Sequence, residues 1–214
     1  DKVVSPTIAG YTADKSEIPA VSGVQAKDQD RVETVTYRKD AQKAVIRYVS
    51  TNGNHILKTD EVTGKSGESI AYSTTSQINE FKKQGYKLVS DEFTAGGAKV
   101  YDYDTARDQV YTVTLSERVE PVNPDNPNPQ PNTPVNPGQP DSPRWPASVH
   151  DLDNKESVSR TIHYVYEDGS KAKDDVVETL NFKRWSNVNL VTGHIDFQDW
   201  TTNDDTFDKV VSPT

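Results

Sequence analysis

The sequence predicts an α+β chain, rich in β-strand, built of small modules joined by an extended proline-rich linker. Three observations lead there. Val supplies 25 of the 44 Leu, Ile, Val and Phe residues, so the apolar content is β-branched and favours strands. Ten of the 13 prolines lie between Pro121 and Pro146 and divide the chain. The heptapeptide Asp1-Lys2-Val3-Val4-Ser5-Pro6-Thr7 returns letter for letter as Asp208-Lys209-Val210-Val211-Ser212-Pro213-Thr214. That identity is the mark of a tandem array, here with a period of 207 residues sampled by a fragment cut inside a domain. With 32% hydrophobic and 27% charged residues, small domains are expected in place of one large core.

Residues 1–38 read as the C-terminal half of a module. Ala9-Gly10-Tyr11 makes a turn, and Ile18-Pro19-Ala20-Val21 a short extended piece. Arg31 to Tyr37 is expected as a strand, with Val32, Thr34 and Thr36 on one face and Glu33, Val35 and Tyr37 on the other. Residues 39–118 read as a complete module. Ala44 to Val49 forms a strand, Asn52-Gly53 a hairpin turn, and Ile56 to Val62 the return strand. Thr75 to Gly85 follows as a short helix, capped by Thr75 or Ser76, with Ile78 and Phe81 facing inward and Gly85 ending it. Tyr86 to Val89 and Val110 to Leu115 supply two later strands. The order β-β-α-β-β around one helix is that of a ubiquitin-like β-grasp domain.

Residues 119–151 have no apolar period and are expected as a polyproline II spacer, about 80 Å long over Pro121–Pro146 at about 3.1 Å per residue. Its PxxP spacings follow from the density of proline alone. Residues 152–214 read as the N-terminal half of the next module. Val158 to Tyr166 is a strand, Asp168-Gly169 a turn, and Val176 to Phe182 the return strand.

A second copy of the middle module is hidden in the two end pieces. Ile46-Arg47-Tyr48-Val49-Ser50-Thr51-Asn52-Gly53 matches Ile162-His163-Tyr164-Val165-Tyr166-Glu167-Asp168-Gly169 as I-x-Y-V-x-x-[ND]-G. Gly85-Tyr86 matches Gly10-Tyr11, and Asp108 to Thr114 matches Asp30 to Thr36 as D-x-V-x-T-V-T. Joined through the shared heptapeptide, 155–214 followed by 8–38 gives the same order of signals. The front piece would expose strand edges whose complement the back piece carries. Closure within one chain gives a circular permutant, and closure between chains a head-to-tail polymer.

The net charge of −9 and the absence of a basic stripe exclude nucleic acid as a partner and give no attraction to anionic lipid. No apolar run reaches the length of a membrane span, so no insertion is expected. Without Cys there are no disulfides, thiolate metal sites or Cys nucleophiles. His55, His150, His163 and His194 are scattered, and none of the familiar hydrolase, metalloprotease or nucleotide-binding motifs occurs, so no enzyme is expected. Asp102-Tyr103-Asp104, Asp151-Leu152-Asp153-Asn154 and Asn203-Asp204-Asp205 could offer oxygens to Ca²⁺, but none has EF-hand spacing, and they read as solvated loops with no cofactor.

The block I-x-Y-V-x-x-[ND]-G, the later Gly-Tyr and the closing V-x-T-V-T strand resemble the mucus-binding (Mub, MucBP) repeats of lactic-acid-bacterial surface adhesins. The middle module resembles MucBP. The split one, with Asp199-Trp200-Thr201, Ser212-Pro213-Thr214 and Gly10-Tyr11-Thr12, resembles its companion Mub module. The resemblance implies tandem β-grasp domains on an extracellular protein anchored to a Gram-positive cell wall and adhering to host mucin glycans. It names immunoglobulin as an alternative partner, reached through an exposed β-edge, and a passive spacer is the third reading. Sugar rings stack on exposed aromatics, which nominates Trp185, Tyr103 and Tyr101, whereas Trp200 sits inside a family-like motif and reads as core. An acidic module gains no charge steering toward sialate or sulfate, so contacts should be neutral, weak per repeat and summed by avidity.

Overall fold

Two short antiparallel ladders organise the N-terminal piece. β1 (Val3–Val4) pairs with β3 (Glu17–Ile18), and β2 (Tyr11–Ala13) with β4 (Tyr37–Lys39). The computed structural model describes residues 1–139 and 141–212; Pro140, Pro213 and Thr214 lie outside, and with them the end of the repeated heptapeptide and one proline of the tract. The strand expected over Arg31–Tyr37 forms only at its last residue. Residues 31–36 join no sheet, and Val32 is 89% exposed. Both ladders here are internal to residues 1–39.

A four-stranded sheet follows. β5 (Ala41–Ser50) and β6 (Ile56–Lys65) form the predicted hairpin, paired from Ala41↔Lys65 to Val49↔Ile56 with a register shift after Tyr48. Gly53 and Asn54 take positive φ, +69° and +51°, at the tight turn where Asn and Gly are the cheapest residues. α1 (Thr75–Lys83) leads to β7 (Tyr86–Asp91) and β8 (Gln109–Glu117), and the strand order is β6-β5-β8-β7. β8 lies parallel to β5, from Ala44↔Gln109 to Ser50↔Leu115, an arrangement that needs a long crossover, and α1 lies within it. Ile78 and Phe81 are buried, and Gly85 ends the helix with φ +94°. The cap differs from expectation. The helix begins at Thr75, whose N–H donates to Ser73 Oγ at 3.4 Å, while Thr74 Oγ1 is committed to Asp91 at 2.6 Å.

Alternation in β5 buries Ala44, Ile46 and Tyr48, which meet Val113 and Leu115 from β8 among the fully buried residues. Phe93 stands edge-on to Tyr72 and to Tyr111, with centroids 5.4 and 5.2 Å apart. Tyr72 hydroxyl donates to Asp60 at 2.6 Å and lies 2.9 Å from Tyr48 hydroxyl. Burial first, then these bonds, pushes the Tyr72 phenol well above its ordinary range.

The proline-rich tract differs most from its expectation. β9 (Val119–Val122) pairs with β12 (Ser186–Asn189), which pairs in turn with β13 (Ile195–Phe197). Pro124 is buried, and a 3-10 turn covers Ala147–Asp151. Asn132 N–H donates to Trp145 O, Trp145 N–H to Thr133 O and Val135 N–H to Pro143 O, each at 2.9 Å, so the tract doubles back on itself. Val122, Val149, Leu152 and Val188 form a small core against Trp145, Ile195 and Phe197. Apolar residues at both ends of the tract, a length of chain away from β12, give the prolines a folded frame.

β10 (Lys155–Val165) and β11 (Lys171–Lys183) form a two-stranded antiparallel hairpin, closed at Asp168-Gly169 as predicted. Ser170 hydroxyl and N–H both donate to Asp168, which holds that carboxyl below its ordinary range. The chain divides into two units, Asp1–Asn79 with Lys87–Ser116, and Glu80–Tyr86 with Glu117–Thr214. Among the described residues no helix is long and apolar enough to cross a membrane.

Candidate ligand-binding site

A groove of about 470 Å³ opens in the second unit at the base of the β10–β11 hairpin. Lys155 and Glu156 line it from β10, residues 179–183 from β11, and Thr202, Asn203 and Asp204 from the far side. Backbone pairing builds that far wall. Lys183 and Thr201 exchange N–H···O bonds of 2.9 and 2.8 Å, and Thr202 Oγ1 donates to Asn181 O at 2.8 Å. The lining thus offers two amides, Asn181 and Asn203, two threonine hydroxyls and charges of both signs, together with the apolar Leu180 and Phe182. Lys183 Nζ is spent on both carboxylate oxygens of Asp125, at 2.9 and 3.0 Å.

Arg184, the residue after the groove strand, anchors an aromatic cluster. Its guanidinium sits 4.0 Å from the Phe197 ring centroid and 4.2 Å from that of Trp200. Nε donates to Asp153 O and Nη2 to Asp153 Oδ2, both at 2.8 Å, so the cation is fixed in place. Trp200 is therefore no core residue. It is 37% exposed, with Arg184 over its ring, one residue before the Thr201 that pairs with β11. Trp185 is 42% exposed, in line with its position between Arg184 and Ser186.

The two tyrosines part company. Tyr101 is only 3% exposed: its ring packs on Gly64, where a Cβ would come within 2.2 Å of Cε2. That burial, which also raises its phenol pKa, removes Tyr101 as a stacking surface. Tyr103 is 51% exposed, yet its ring edge rests on Gly10 and its hydroxyl on Gly67. The sequence did not single out Arg184, Asn181 or Thr202. Arg-Trp followed by Asp-Trp-Thr was the available signal, since an arginine flanked by aromatics is a recurrent stacking partner.

The acidic loops use their oxygens locally. Asp102 accepts Asp104 N–H at 3.1 Å, Asp104 accepts Ala106 N–H at 2.9 Å, and Asp204 accepts Thr206 N–H at 3.0 Å. Among the described residues no group of three His, Asp or Glu side chains is placed to hold a metal ion. His163 Nδ1 lies 3.0 Å from Asp175 across the hairpin, on an exposed face.

Fold and site together describe a β-rich chain with a groove lined by amides and hydroxyls. Comparison with known families carries this further. A mucin-binding-domain model matches residues 42–117, and a Muc B2-like-domain model matches residues 1–41 and 149–214, half of the chain. The chain belongs to the family of mucus-binding repeats. Among solved structures it is similar to the type 2 repeat of the mucus binding protein MUB from Lactobacillus reuteri, with 28% identity and a TM-score of 0.51 over 81% of this chain and 82% of that one. It shares its fold with Mub-RV, at 24% identity and a TM-score of 0.58, over 78% of this chain and 76% of that one. No curated protein matches it.

Proposed function

We propose that this chain is a repeat of an extracellular adhesin, carried on a Gram-positive cell wall, that holds host mucin glycoproteins by many weak contacts. The observation that carries the reading is the groove beside the Arg184-clamped Trp200. The side-chain amides of Asn181 and Asn203 match sugar hydroxyls, and the indoles of Trp200 and Trp185 offer faces for sugar rings. Membership of the mucus-binding repeats supports the same reading. No catalytic step is part of it. The open groove suits modest affinity per repeat, so retention on a mucus layer comes from the array.

In modular terms we read residues 39–118 as a whole ubiquitin-like β-grasp module, supported by the β6-β5-β8-β7 order with its parallel central pair. Residues 152–214 and 1–38 are the two halves of its companion. A second reading, immunoglobulin binding by strand addition, is favoured by one observation: β6 is an edge strand of that sheet. Binding to immobilised mucin, untreated and periodate-oxidised, with immunoglobulin on a parallel surface, separates the readings. Glycan recognition loses its signal on oxidation, whereas edge-strand recognition binds immunoglobulin and is abolished by proline in β6. Silence on every surface would leave a spacer.

A further inference from the structure

We infer that the groove at the base of the β10–β11 hairpin takes a neutral 2-acetamido sugar, an N-acetylhexosamine, in preference to a plain hexose or an acidic sugar. This preference rests on the glycan reading above and narrows it to one class of sugar. At about 470 Å³ the groove falls within the range of small-molecule sites, about 300–1,000 Å³. Its hydroxyls are committed within the chain. Thr179 Oγ1 lies 2.8 Å from Ser159 Oγ, and Thr202 Oγ1 donates to Asn181 O at 2.8 Å. Recognition therefore falls to the side-chain amides of Asn181 and Asn203, the carboxylates of Glu156 and Asp204, and the apolar Leu180 and Phe182. Both asparagines and Glu156 are exposed, and Phe182 is half-buried.

An acetamido group uses all three kinds of lining at once. Its C=O accepts a hydrogen bond, its N–H donates one, and its methyl gains by leaving water. An asparagine Nδ2 supplies the donor, a carboxylate the acceptor, and Leu180 with Phe182 the apolar contact. A hexose hydroxyl in the same place satisfies the polar groups and leaves the apolar pair wet. Charge selects against acidic sugars. Lys183 is held by both oxygens of Asp125, at 2.9 and 3.0 Å, so Lys155 alone offsets Glu156 and Asp204. A sialate or sulfate entering there meets net repulsion, on a chain whose charge is already −9.

The test is release of the chain from immobilised mucin by soluble N-acetylgalactosamine, N-acetylglucosamine, galactose, glucose and N-acetylneuraminate, with amide NMR of the same chain titrated with each. Both N-acetylhexosamines are expected to release it at about tenfold lower concentration than their parent hexoses, the worth of about one hydrogen bond and one methyl contact. They should shift the side-chain amide signals of Asn181 and Asn203, with saturation transfer strongest at the acetamido methyl. N-acetylneuraminate should compete more weakly. Glu156→Gln should narrow that deficit against N-acetylgalactosamine while leaving galactose where it was. Equal competition by N-acetylhexosamines and hexoses, in a chain whose mucin binding Asn181→Ala/Asn203→Ala abolishes, overturns the acetamido preference and leaves the glycan reading standing. Competition led by N-acetylneuraminate, or no effect of any probe, overturns it in the same way. Absence of mucin binding, or binding that the double variant retains, overturns both.

Discussion

Gly64 lies next to the last residue of β6, against the ring of Tyr101, a closeness only a residue without Cβ permits. Gly64→Ala should destabilise the chain by roughly 1–3 kcal/mol, read as a lower urea midpoint at unchanged slope, because the displaced ring is itself buried. Arg184 is the second residue that sets its surroundings. Arg184→Ala frees Trp200 and strips Asp153 of its partner, so weaker mucin binding should come with a more mobile indole in fluorescence anisotropy. Trp200→Phe should retain more binding than Trp200→Ala. At this scale the sequence was half legible. Trp185 and Tyr103 emerge exposed because polar neighbours flank them locally. Tyr101 and Trp200 reverse their expected places because Gly64 and Arg184 decide them, and those partners are remote in sequence or polar in character.

The hairpins β5–β6 and β10–β11 and the helix α1 follow from local signals: alternation, Asn-Gly or Asp-Gly turns, and a closing glycine. The proline-rich tract could not be read that way. Its structure comes from β9 pairing with β12, more than sixty residues on, and from Val122 and Val149 meeting Val188. Val188→Ala should therefore cost roughly 1–3 kcal/mol and loosen protection in the tract, an effect that an extended spacer would not show. Residues 31–36 carry a strand pattern without a strand because a strand exists only with a partner. In the four-stranded sheet and the segment after β6, burial raises the phenols of Tyr48, Tyr111 and Tyr72 above their ordinary value of 10.0. Raised folded values mean stability intact below pH 10 and lost as pH climbs past it. Absorbance at 295 nm should show a late tyrosine phase coincident with loss of near-ultraviolet dichroism, and the phase should vanish in guanidinium.

The whole chain carries a net charge of −9, and the mucin proposed as its partner is itself rich in acidic sugars. Long-range attraction is absent, so binding to mucin should be insensitive to, or modestly strengthened by, salt between 50 and 300 mM, an outcome opposite to that of a basic adhesin. Tandem copies should bind far more tightly than one, by on the order of 10²-fold or more for a second engaged repeat. The groove at the base of β10–β11 is the central claim, and its side chains can be removed without touching the core. The decisive measurement is surface plasmon resonance of the wild type and of the Asn181→Ala/Asn203→Ala double variant over mucin, before and after periodate oxidation. The account predicts wild-type binding that oxidation abolishes and that the double variant lacks in equal measure. Equal binding by both proteins, with equal sensitivity to oxidation, would place the glycan contact elsewhere and contradict it.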